Sequence, residues 1–276
     1  VNFVFDEIYG EAVVRKGTTI LSAQLTASDN SIVGLHHFTN SSGSVSRLLA
    51  TASNGITYYY NGSSWSSGLT GDTNGLKTRF ETFLDYVVRV NGSNAIKSSA
   101  DGLTWAVNTA LDDSNFPAGA KFVKVYKAQM IAAGATTRPD SIFISSVPNA
   151  AGTAISWTSG NREIVISPQD GQNITGLGVI AGLLIVFKDR AMYRWNNRTT
   201  EAEPLVNVGC SSHESITTCG QGLLSFFNPK GIYLTSGDQP ILISRKIQKW
   251  IDGMNASYYD DVASFGDEEH LFVSLG

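Results

Sequence analysis

The sequence predicts an all-β protein, a β-propeller of six blades with four antiparallel strands each. Three observations lead to this prediction. Only 16% of the 276 residues are charged, whereas about 25% is typical of soluble domains, and Gly, Ser, Thr and Asn fill the gap. Those residues favour short strands joined by tight turns. A hairpin-like segment recurs along the chain, and the pattern I-x-G-L occurs twice at similar places in that repeat.

The hairpin-like segment occurs five times. Each copy opens with adjacent apolar residues, passes through a polar turn and resumes with an apolar residue, which is typical of a β-hairpin. The residues that follow the turns are Ile56, Ile96, Ile142, Met192 and Ile232, at intervals of 40, 46, 50 and 40 residues. Propeller blades repeat at roughly 40–50 residues. We therefore assign one hairpin to each of five blades.

The two I-x-G-L segments predict the innermost strand of a blade. Ile32–Leu35 and Ile174–Leu177 precede their hairpins by similar distances. Inner strands crowd the central channel, and glycine there lets two backbones approach closely. We expect Gly176→Val to destabilise the fold by about 1–3 kcal/mol, the usual cost of overpacking.

The two chain ends are predicted to share the sixth blade. Asp261–Phe265 and His270–Ser274 are interpreted as its first two strands, with Ala12–Arg15 and Thr18–Leu21 as its outer part. Such sharing removes an exposed sheet edge. This blade is one strand short, and the chain begins without Met, so we expect a piece of a longer protein. The sequence predicts a single domain over 1–276. Its predicted blades cover 23–70, 76–115, 121–168, 172–210 and 214–244, and the shared blade is formed by 256–276 and 1–22.

One segment departs from the β pattern. Ile247, Trp250 and Ile251 have the spacing of one helical face. Ser244 is the expected N-cap and Gly253 the expected end, which predicts one short helix near 244–252. A connector that covers the core is the favoured interpretation, and a binding helix is the alternative.

The histidines show no catalytic or metal-binding pattern. His36 and His37 are adjacent in a predicted strand, so their side chains point to opposite faces and are poorly placed to bind one metal. Neither H-x-H nor H-E-x-x-H is present. Cys210, His213 and Glu214 are close in sequence, and a Cys/His catalytic pair is conceivable. A turn after the outer strand of a blade is the favoured interpretation.

The carboxylates and cysteines also favour structural roles. Acidic runs at Asp112–Asp113, Asp260–Asp261 and Asp267–Glu269 lack the D-x-D-x-D-G spacing of calcium loops. Cys210 and Cys219 are too few for a disulfide scaffold, and no CxxC motif suggests zinc. The sequence therefore predicts no catalytic residue, no cofactor and no metal site, and we expect that the chain is not an enzyme.

One turn is similar to a sialidase motif. Ser99–Trp105, with the sequence SADGLTW, resembles the sialidase "Asp box" but is one residue short of it. In sialidases this box is a structural turn of the blades, remote from the catalytic centre. The resemblance therefore supports a propeller more than a glycosidase, and the early F/Y-R-I-P segment of sialidases is absent.

The second half of the chain resembles a class of tailed-phage structural proteins. The resemblance covers roughly Asp170 to Ile251 and rests on the segments DGQNITGL, LLIVFKDRAMYR, GCSSHESI, GLLSFFNPKGIY and ISRKI. These correspond to Asp170–Leu177, Leu183–Arg194, Gly209–Ile216, Gly222–Tyr233 and Ile243–Ile247. The family consists of β-propeller components of the phage neck or tail, similar to the nozzle or hub rings of short-tailed phages. Nozzle proteins are usually much longer than this chain and carry inserted domains.

The resemblance implies a non-enzymatic virion protein that forms an oligomeric ring and contributes to the DNA conduit used in ejection. Its implied partners are further copies of itself, neighbouring tail and portal-adaptor proteins, and genomic DNA that passes without sequence-specific binding. Assembly would take place in the host cytoplasm. The net charge of −4 and the absence of a Lys/Arg run suit a channel in which DNA slides. No apolar run approaches the roughly 20 residues of a membrane span.

Exposed aromatic residues are the candidate contacts between subunits. Trp65, Trp105, Tyr258 and Tyr259 are predicted on loops, where aromatic side chains often anchor interfaces. Two alternative functions stay open. One is a carbohydrate-binding or sialidase-like propeller in a receptor-binding tail protein. The other is a cellular propeller that acts as a platform for protein interactions.

Overall fold

The computed structural model describes residues 2–6, 11–14, 25, 30–107, 110–158, 162–168, 170–220 and 222–275, with the backbone alone at 2–6 and 11–14. The chain divides into two compact units. The middle unit comprises Thr19–Glu163, and the terminal unit comprises Val1–Thr18 together with Ile164–Gly276.

Short strands make up most of the described chain. The first twelve are β1 (Asn2–Asp6), β2 (Glu11–Val14), β3 (Ile32–Thr39), β4 (Ser46–Ala52), β5 (Thr57–Tyr60), β6 (Trp65–Leu69), β7 (Arg79–Phe83), β8 (Tyr86–Val90), β9 (Lys97–Ser99), β10 (Phe122–Tyr126), β11 (Gln129–Ala135) and β12 (Arg138–Ile144). The others are β13 (Arg162–Val165), β14 (Ile174–Ile180), β15 (Leu183–Lys188), β16 (Met192–Trp195), β17 (Glu203–Val206), β18 (Thr217–Cys219), β19 (Leu223–Asn228), β20 (Gly231–Thr235), β21 (Ile241–Leu242), β22 (Ala263–Gly266) and β23 (His270–Ser274). A short α-helix, α1 (Gln248–Asp252), and three 3-10 turns, His213–Ser215, Ser244–Ile247 and Ala256–Asp261, complete the elements.

The strands form consecutive antiparallel sheets in which neighbours in sequence are neighbours in space, the arrangement of propeller blades. The sheets are β3–β6, β7–β9, β10–β13, β14–β17, β18–β21 and β2-β1-β23-β22. The chain is thus an all-β protein of the β-propeller class with one short helix. Five sheets have four strands, and the sheet β7–β9 has three. The prediction of four strands in every blade is therefore wrong for the described residues: after β9 the chain enters a tight turn, and its described part returns as an isolated bridge between Ser98 and Ala106.

In the middle unit, first strands of successive sheets are neighbours. Strand β7 contacts β3 and also contacts β10, as expected for the inner strands of blades. The Gly34 position in β3 shows why glycine is needed there. A Cβ on Gly34 would collide with the carbonyl oxygen of Thr78, in the segment that leads into β7. The Thr78 amide also donates to the Val33 carbonyl at 3.0 Å, so this close approach is held by a backbone hydrogen bond.

In the terminal unit, both chain ends contribute to one sheet, as predicted. Strands β22 and β23 are followed by β1, paired with β23 from Asn2↔Ser274 to Asp6↔His270, and then by β2. The outer strands described are Asn2–Asp6, which was not predicted, and Glu11–Val14, one residue earlier than the predicted Ala12–Arg15; the predicted strand Thr18–Leu21 lies outside the described residues. The expected gap of one strand is also wrong, because β1 begins at Asn2, closer to the chain start than the sequence pattern suggested.

All five predicted hairpins are present, as β4–β5, β8–β9, β11–β12, β15–β16 and β19–β20. The β19–β20 turn shows the local chemistry. Asn228 Oδ1 accepts a hydrogen bond from the Lys230 amide at 3.0 Å. Gly231 follows with a positive φ of 146°, a conformation that side chains disfavour.

Buried apolar residues fill the spaces inside each unit. In the terminal unit, one cluster joins β14–β17 to β18–β21 through Phe187, Met192 and Phe226. In the middle unit, Trp157 and Met130 belong to the main cluster, and the Trp157 indole N–H donates to the Leu111 carbonyl at 3.0 Å. Fully burying side chains of this size stabilises each by roughly 1.5–3 kcal/mol.

The predicted helix near 244–252 is a 3-10 turn, Ser244–Ile247, continued by α1 and ended at Gly253. Ser244 is not its N-cap: the Ser244 hydroxyl instead accepts a hydrogen bond from the Ile232 amide at 3.0 Å. Ile247 and Ile251 are buried in the core cluster of the terminal unit, so the segment covers the core, as the favoured interpretation expected. Among the described residues, no helix is long and apolar enough to cross a membrane.

Candidate functional site

Two of the predicted contact residues, Trp65 and Trp105, lie in the middle unit and are only partly exposed. Trp65 begins β6, and its ring centroid is 5.4 Å from that of Tyr60 across the β5–β6 hairpin. Trp105 packs against Phe80 with ring centroids 6.2 Å apart. The full exposure expected from the sequence is wrong for both, because each ring stabilises its own unit.

The terminal unit has a more exposed apolar surface. Tyr258 is 52% exposed, whereas Tyr259 packs against the Phe227 ring at 5.8 Å and is half-buried. Ile241 at the edge strand β21 is 69% exposed, and Trp250 on α1 is 61% exposed. Trp250 was predicted on the inner helical face with Ile247 and Ile251, but the 3-10 start rotates it outward. Tyr258, Ile241 and Trp250 are therefore the stronger candidates for contacts in this unit.

The conceivable Cys/His pair is a structural turn. Cys210 is completely buried, and burial raises the pKa of its thiol to about 12. Its Sγ lies 3.6 Å from the Ser215 hydroxyl, and the Leu177 amide donates to His213 Nδ1 at 3.4 Å. A nucleophilic cysteine needs its thiolate form, so Cys210 is chemically inert in the folded state. Cys210 and Cys219 are both buried and not bonded to each other.

His36 and His37 have separate surroundings, as their adjacency in a strand predicted. His36 Nε2 lies 2.8 Å from the Thr82 hydroxyl, and the ring stacks on Phe80. Burial first, and then the charge of Lys124, lower the pKa of His36 to about 4, so the imidazole is neutral near pH 7. His37 is exposed and contacts the Ser46 hydroxyl at 2.9 Å.

The Asp-box-like segment is a closed structural turn. Asp101 Oδ1 accepts hydrogen bonds from the Leu103 and Thr104 amides, both at 2.8 Å, and from the Ser99 hydroxyl at 2.8 Å. Burial alone would raise the pKa of Asp101, but these hydrogen bonds outweigh it and hold the pKa below its ordinary value. The carboxylate is fully occupied by its own turn, in agreement with the structural role that the resemblance implied.

The acidic runs act in the same way. Asp113 Oδ2 accepts from the Trp157 amide at 2.9 Å and from the Ser156 hydroxyl at 3.1 Å. Asp267 Oδ1 accepts from the amides of Glu269 and His270. Within the part of the chain that the structure describes, no group of three His, Cys, Asp or Glu side chains could hold a metal ion.

A buried ion pair, which the sequence analysis did not identify, lies in the terminal unit. Lys188 ends β15, and its side chain is completely buried. Its Nζ contacts both carboxylate oxygens of Asp170, at 2.8 and 2.9 Å, and the Ser167 carbonyl at 3.3 Å. The Nζ also lies 5.9 Å from the Tyr193 ring centroid. The pair therefore fixes the loop that enters β14 to the end of the next strand.

The middle unit contains an equivalent pair. Arg89, near the end of β8, is completely buried and its Nη2 contacts Asp72 Oδ1. Lys97 Nζ reaches the same carboxylate oxygen at 3.5 Å. Asp72 lies 17 residues before Arg89, and Asp170 lies 18 residues before Lys188. In both sheets, a cation late in the second strand binds a carboxylate in the loop that precedes the first strand.

A depression on the terminal unit lies between two hairpin turns and is here named the hairpin cleft. It encloses about 690 Å³. Its walls are the β15–β16 turn with Asp189 and Arg190 and the β19–β20 turn with Lys230. Its floor includes Tyr193 and Gly209. The remaining lining residues are Asp170, Gln172, Ala191, Asn207, Val208, Ser211, Asn228 and Pro229.

No protein-family model and no curated protein matches the chain. Among solved structures, YCF48 from Cyanidioschyzon merolae is 10% identical, with a TM-score of 0.49 over 78% of this chain and 69% of that one. A chain of a nidogen/laminin complex is 12% identical, with a TM-score of 0.49 over 75% and 76% of the two chains. BamB from Moraxella catarrhalis is 12% identical, with a TM-score of 0.43 over 78% of this chain and 62%, less than two thirds, of BamB. None of these similarities supports an assignment of function.

Proposed function

We propose that the chain is a non-enzymatic structural component of a bacteriophage neck or tail, where it forms an oligomeric ring that contributes to the DNA conduit. The proposal begins from the resemblance between Asp170 and Ile251. Residues of these segments hold the fold: Asp170 pairs with Lys188, and a side chain at Gly209 would collide with the Lys188 carbonyl. Segments that stabilise a blade are what a structural subunit requires.

The observation that carries the proposal is the exposed apolar surface of the terminal unit. Ile241, Trp250, Tyr258 and Phe265 are each more than half exposed. Aromatic residues are enriched in the cores of protein interfaces, and Trp250, Tyr258 and Phe265 are the aromatic members of this set. The inert Cys210 thiol and the occupied Asp101 carboxylate support a role in assembly over a role in catalysis.

The proposal includes six blades, one of them shared by the chain ends. The three-stranded sheet β7–β9 is counted as a blade because it occupies the place of the second blade in the sequence. A virion location, contacts with portal-adaptor proteins and passage of DNA through the ring also belong to it. The net charge of −4 favours a lumen along which phosphates are repelled and DNA slides.

The test is to measure the mass of the purified chain by native mass spectrometry and to image it by electron microscopy. We expect a ring of defined copy number, with each interface burying at least about 1,000 Å². Trp250→Glu combined with Tyr258→Glu should dissociate the ring. The control Thr200→Glu, at an exposed polar position of the same unit, should leave it intact.

A monomer at every concentration would contradict self-assembly. Mass spectrometry of purified particles of the encoding phage tests the location separately: we expect the chain at a fixed copy number per particle. Its absence from the particles would refute the virion role even if the isolated chain forms rings.

A further inference from the structure

The hairpin cleft has the size and rigidity of a ligand site, although nothing in the sequence singled it out. Its volume of about 690 Å³ lies within the roughly 300–1,000 Å³ of small-molecule sites. Two of its walls are short hairpin turns anchored to buried strands, and the loop before β14 and the segment after β17 complete the lining.

The base of the cleft is preorganised by buried polar contacts. Asn228, itself more than nine-tenths buried, donates from Nδ2 to the Gly209 carbonyl at 2.9 Å. The Lys188–Asp170 pair lies beneath the opposite wall, and the Cys210 amide donates to the Lys188 carbonyl at 3.0 Å. The Gln172 side chain accepts from the Arg190 amide at 2.8 Å, which fixes the β15–β16 turn. A preformed site binds more tightly because less ordering is needed on binding.

The mouth of the cleft carries an excess of positive charge. Arg190 and Lys230 stand on opposite hairpin turns and are both exposed. Within the described residues, neither side chain forms an ion pair, and Asp189 is the one exposed carboxylate of the lining that also lacks a charged partner. Asp170 is neutralised by Lys188. Two unpaired cations against one unpaired carboxylate favour an anionic ligand.

Neutral polar groups lie between these charges. Asn207 is exposed and Ser211 is half-buried, and the side chains of both make no hydrogen bond to the described part of the protein. They can therefore donate to and accept from hydroxyl groups of a ligand. The one aromatic residue of the lining, Tyr193, is 8% exposed, which leaves no ring face on which a flat apolar ligand could stack.

We propose that the hairpin cleft binds an acidic carbohydrate. The carboxylate or sulfate group of the sugar would bind to Arg190 and Lys230, since a guanidinium recognises such groups through paired hydrogen bonds. The sugar hydroxyls would bind to Asn207, Ser211 and Asp189. The cleft binds without cleaving, and the inference is independent of ring formation, since every contributing residue belongs to one copy of the chain.

The test is isothermal titration calorimetry of the full chain with a panel of acidic oligosaccharides: oligogalacturonate, hyaluronate, a heparin fragment and sialyllactose. Each is paired with its neutral or desulfated counterpart, and inorganic phosphate is titrated as the bare anion. We expect at least one acidic sugar to bind with one site per chain, at least about tenfold more tightly than its neutral counterpart and than phosphate. Losing one charge-assisted contact typically costs 1.5–3 kcal/mol, so Arg190→Ala should weaken binding by about tenfold or more.

Three variants separate the contributions. Lys230→Ala should resemble Arg190→Ala, and Asn207→Ala should weaken binding of the sugar while leaving the weak binding of phosphate unchanged. Arg198→Ala removes an exposed cation of the same unit that does not line the cleft, and it should leave binding unchanged. The proposal is overturned if no acidic sugar binds, if phosphate or the neutral sugars bind equally well, or if Arg198→Ala weakens binding as much as Arg190→Ala.

Discussion

The two halves of the buried ion pair in the terminal unit should differ in their importance for stability. Lys188 is 0% exposed, whereas Asp170 is 19% exposed. We predict that Asp170→Asn destabilises the protein more than Lys188→Met does. Removing the negative charge leaves an ammonium group in the interior with neutral acceptors alone, the amide oxygen introduced at position 170 and the Ser167 carbonyl, 3.3 Å away. Removing the ammonium leaves a carboxylate that water can reach.

The expected magnitudes follow from this difference in burial. Breaking a buried pair so that one charge stays in the interior costs about 3–5 kcal/mol, which we expect for Asp170→Asn. Lys188→Met replaces the side chain with an apolar one of similar length, and Asp170 keeps its hydrogen bond from the Gln172 amide at 2.9 Å. We therefore expect a loss of about 1.5–3 kcal/mol, as for one lost charged hydrogen bond. The double variant should cost no more than Lys188→Met, since no buried charge is left.

Urea unfolding followed by tryptophan fluorescence measures these differences, because Trp195 is buried in the same sheet. The control is the surface pair of Arg194 and Glu203, whose nitrogen–oxygen distance is 2.8 Å and whose carboxylate side chain is 62% exposed. Glu203→Gln should cost less than about 1 kcal/mol, as is typical of surface pairs. Equal costs for Asp170→Asn and Lys188→Met, or a double variant as unstable as Asp170→Asn, would refute the reasoning.

The same pair predicts how stability changes in acid. Burial raises the pKa of Asp170, but hydrogen bonds from Lys188 and Gln172 outweigh it and hold the pKa below its ordinary value. A carboxylate whose pKa is lower in the folded state stabilises the fold above the unfolded value near 3.9 and loses this contribution as the pH falls through the folded pKa. Lys188→Met removes the strongest cause of the lowered pKa of Asp170. The difference in free energy of unfolding between this variant and the natural protein should therefore narrow as the pH falls below about 4.

Three further predictions concern single residues. Gly34→Ala should lower the free energy of unfolding more than Gly176→Ala does. At Gly34 the added Cβ collides with the backbone oxygen of Thr78, whereas at Gly176 it collides with the Ile216 side chain, which can move. Thermal unfolding measures both losses, and about 1–3 kcal/mol is expected at Gly176. Cys210, with its pKa raised by burial to about 12, should not react with a thiol reagent until the protein unfolds. His36, with its pKa lowered by burial to about 4, should reduce the free energy of unfolding as the pH falls from about 6.5 to 4, and His36→Gln should reduce that slope.

Each of these three predictions would be contradicted by a specific result. A larger loss at Gly176 would show that the Ile216 side chain cannot move aside. Rapid labelling of the folded protein at Cys210 would show an open thiol. A pH slope that is the same in His36→Gln would mean that other groups, not this imidazole, take up the protons.

The repeating elements were predictable from the sequence because they depend on local patterns. The five hairpins follow from apolar runs around turn residues such as Asn228 and Gly231, whose conformations are fixed within a few positions. The shared sheet was predicted from strands at both ends, although its outer strands differ by several residues. The helix was predicted in place, but Ser244 binds the Ile232 amide of a distant strand, a contact that no local pattern shows.

The binding and stabilising contacts were not predictable in the same way. Lys188 begins the charged run Lys188–Arg190 and Arg89 stands alone among apolar residues, and their partners lie 18 and 17 residues earlier in loops. A reader of the sequence places a charged residue at the end of a strand in solvent, because charges are rarely buried without a partner. The signal available in the sequence was the recurrence of nearly the same separation, 17 and 18 residues, in two sheets. It becomes visible once the hairpins are aligned with each other.

The two ion pairs also explain why the hairpin cleft occurs where it does. Lys188 and the loop at Asp170 are joined beneath the cleft, and Gly209 passes so close to Lys188 that a side chain there would collide with its carbonyl. Lys188 is thereby kept out of the cleft lining and Asp170, which does line the cleft, is paired with it, while the adjoining turn presents Asp189 and Arg190 to solvent. In the middle unit, the Arg89–Asp72 pair holds the equivalent loop, but the equivalent hairpin turn, Asn91–Ala95, contains no charged residue. The same kind of ion pair thus supports a charged cleft in the terminal unit and a neutral turn in the middle unit. Ligand binding should therefore depend on the turn residues and not on the ion pair that supports them.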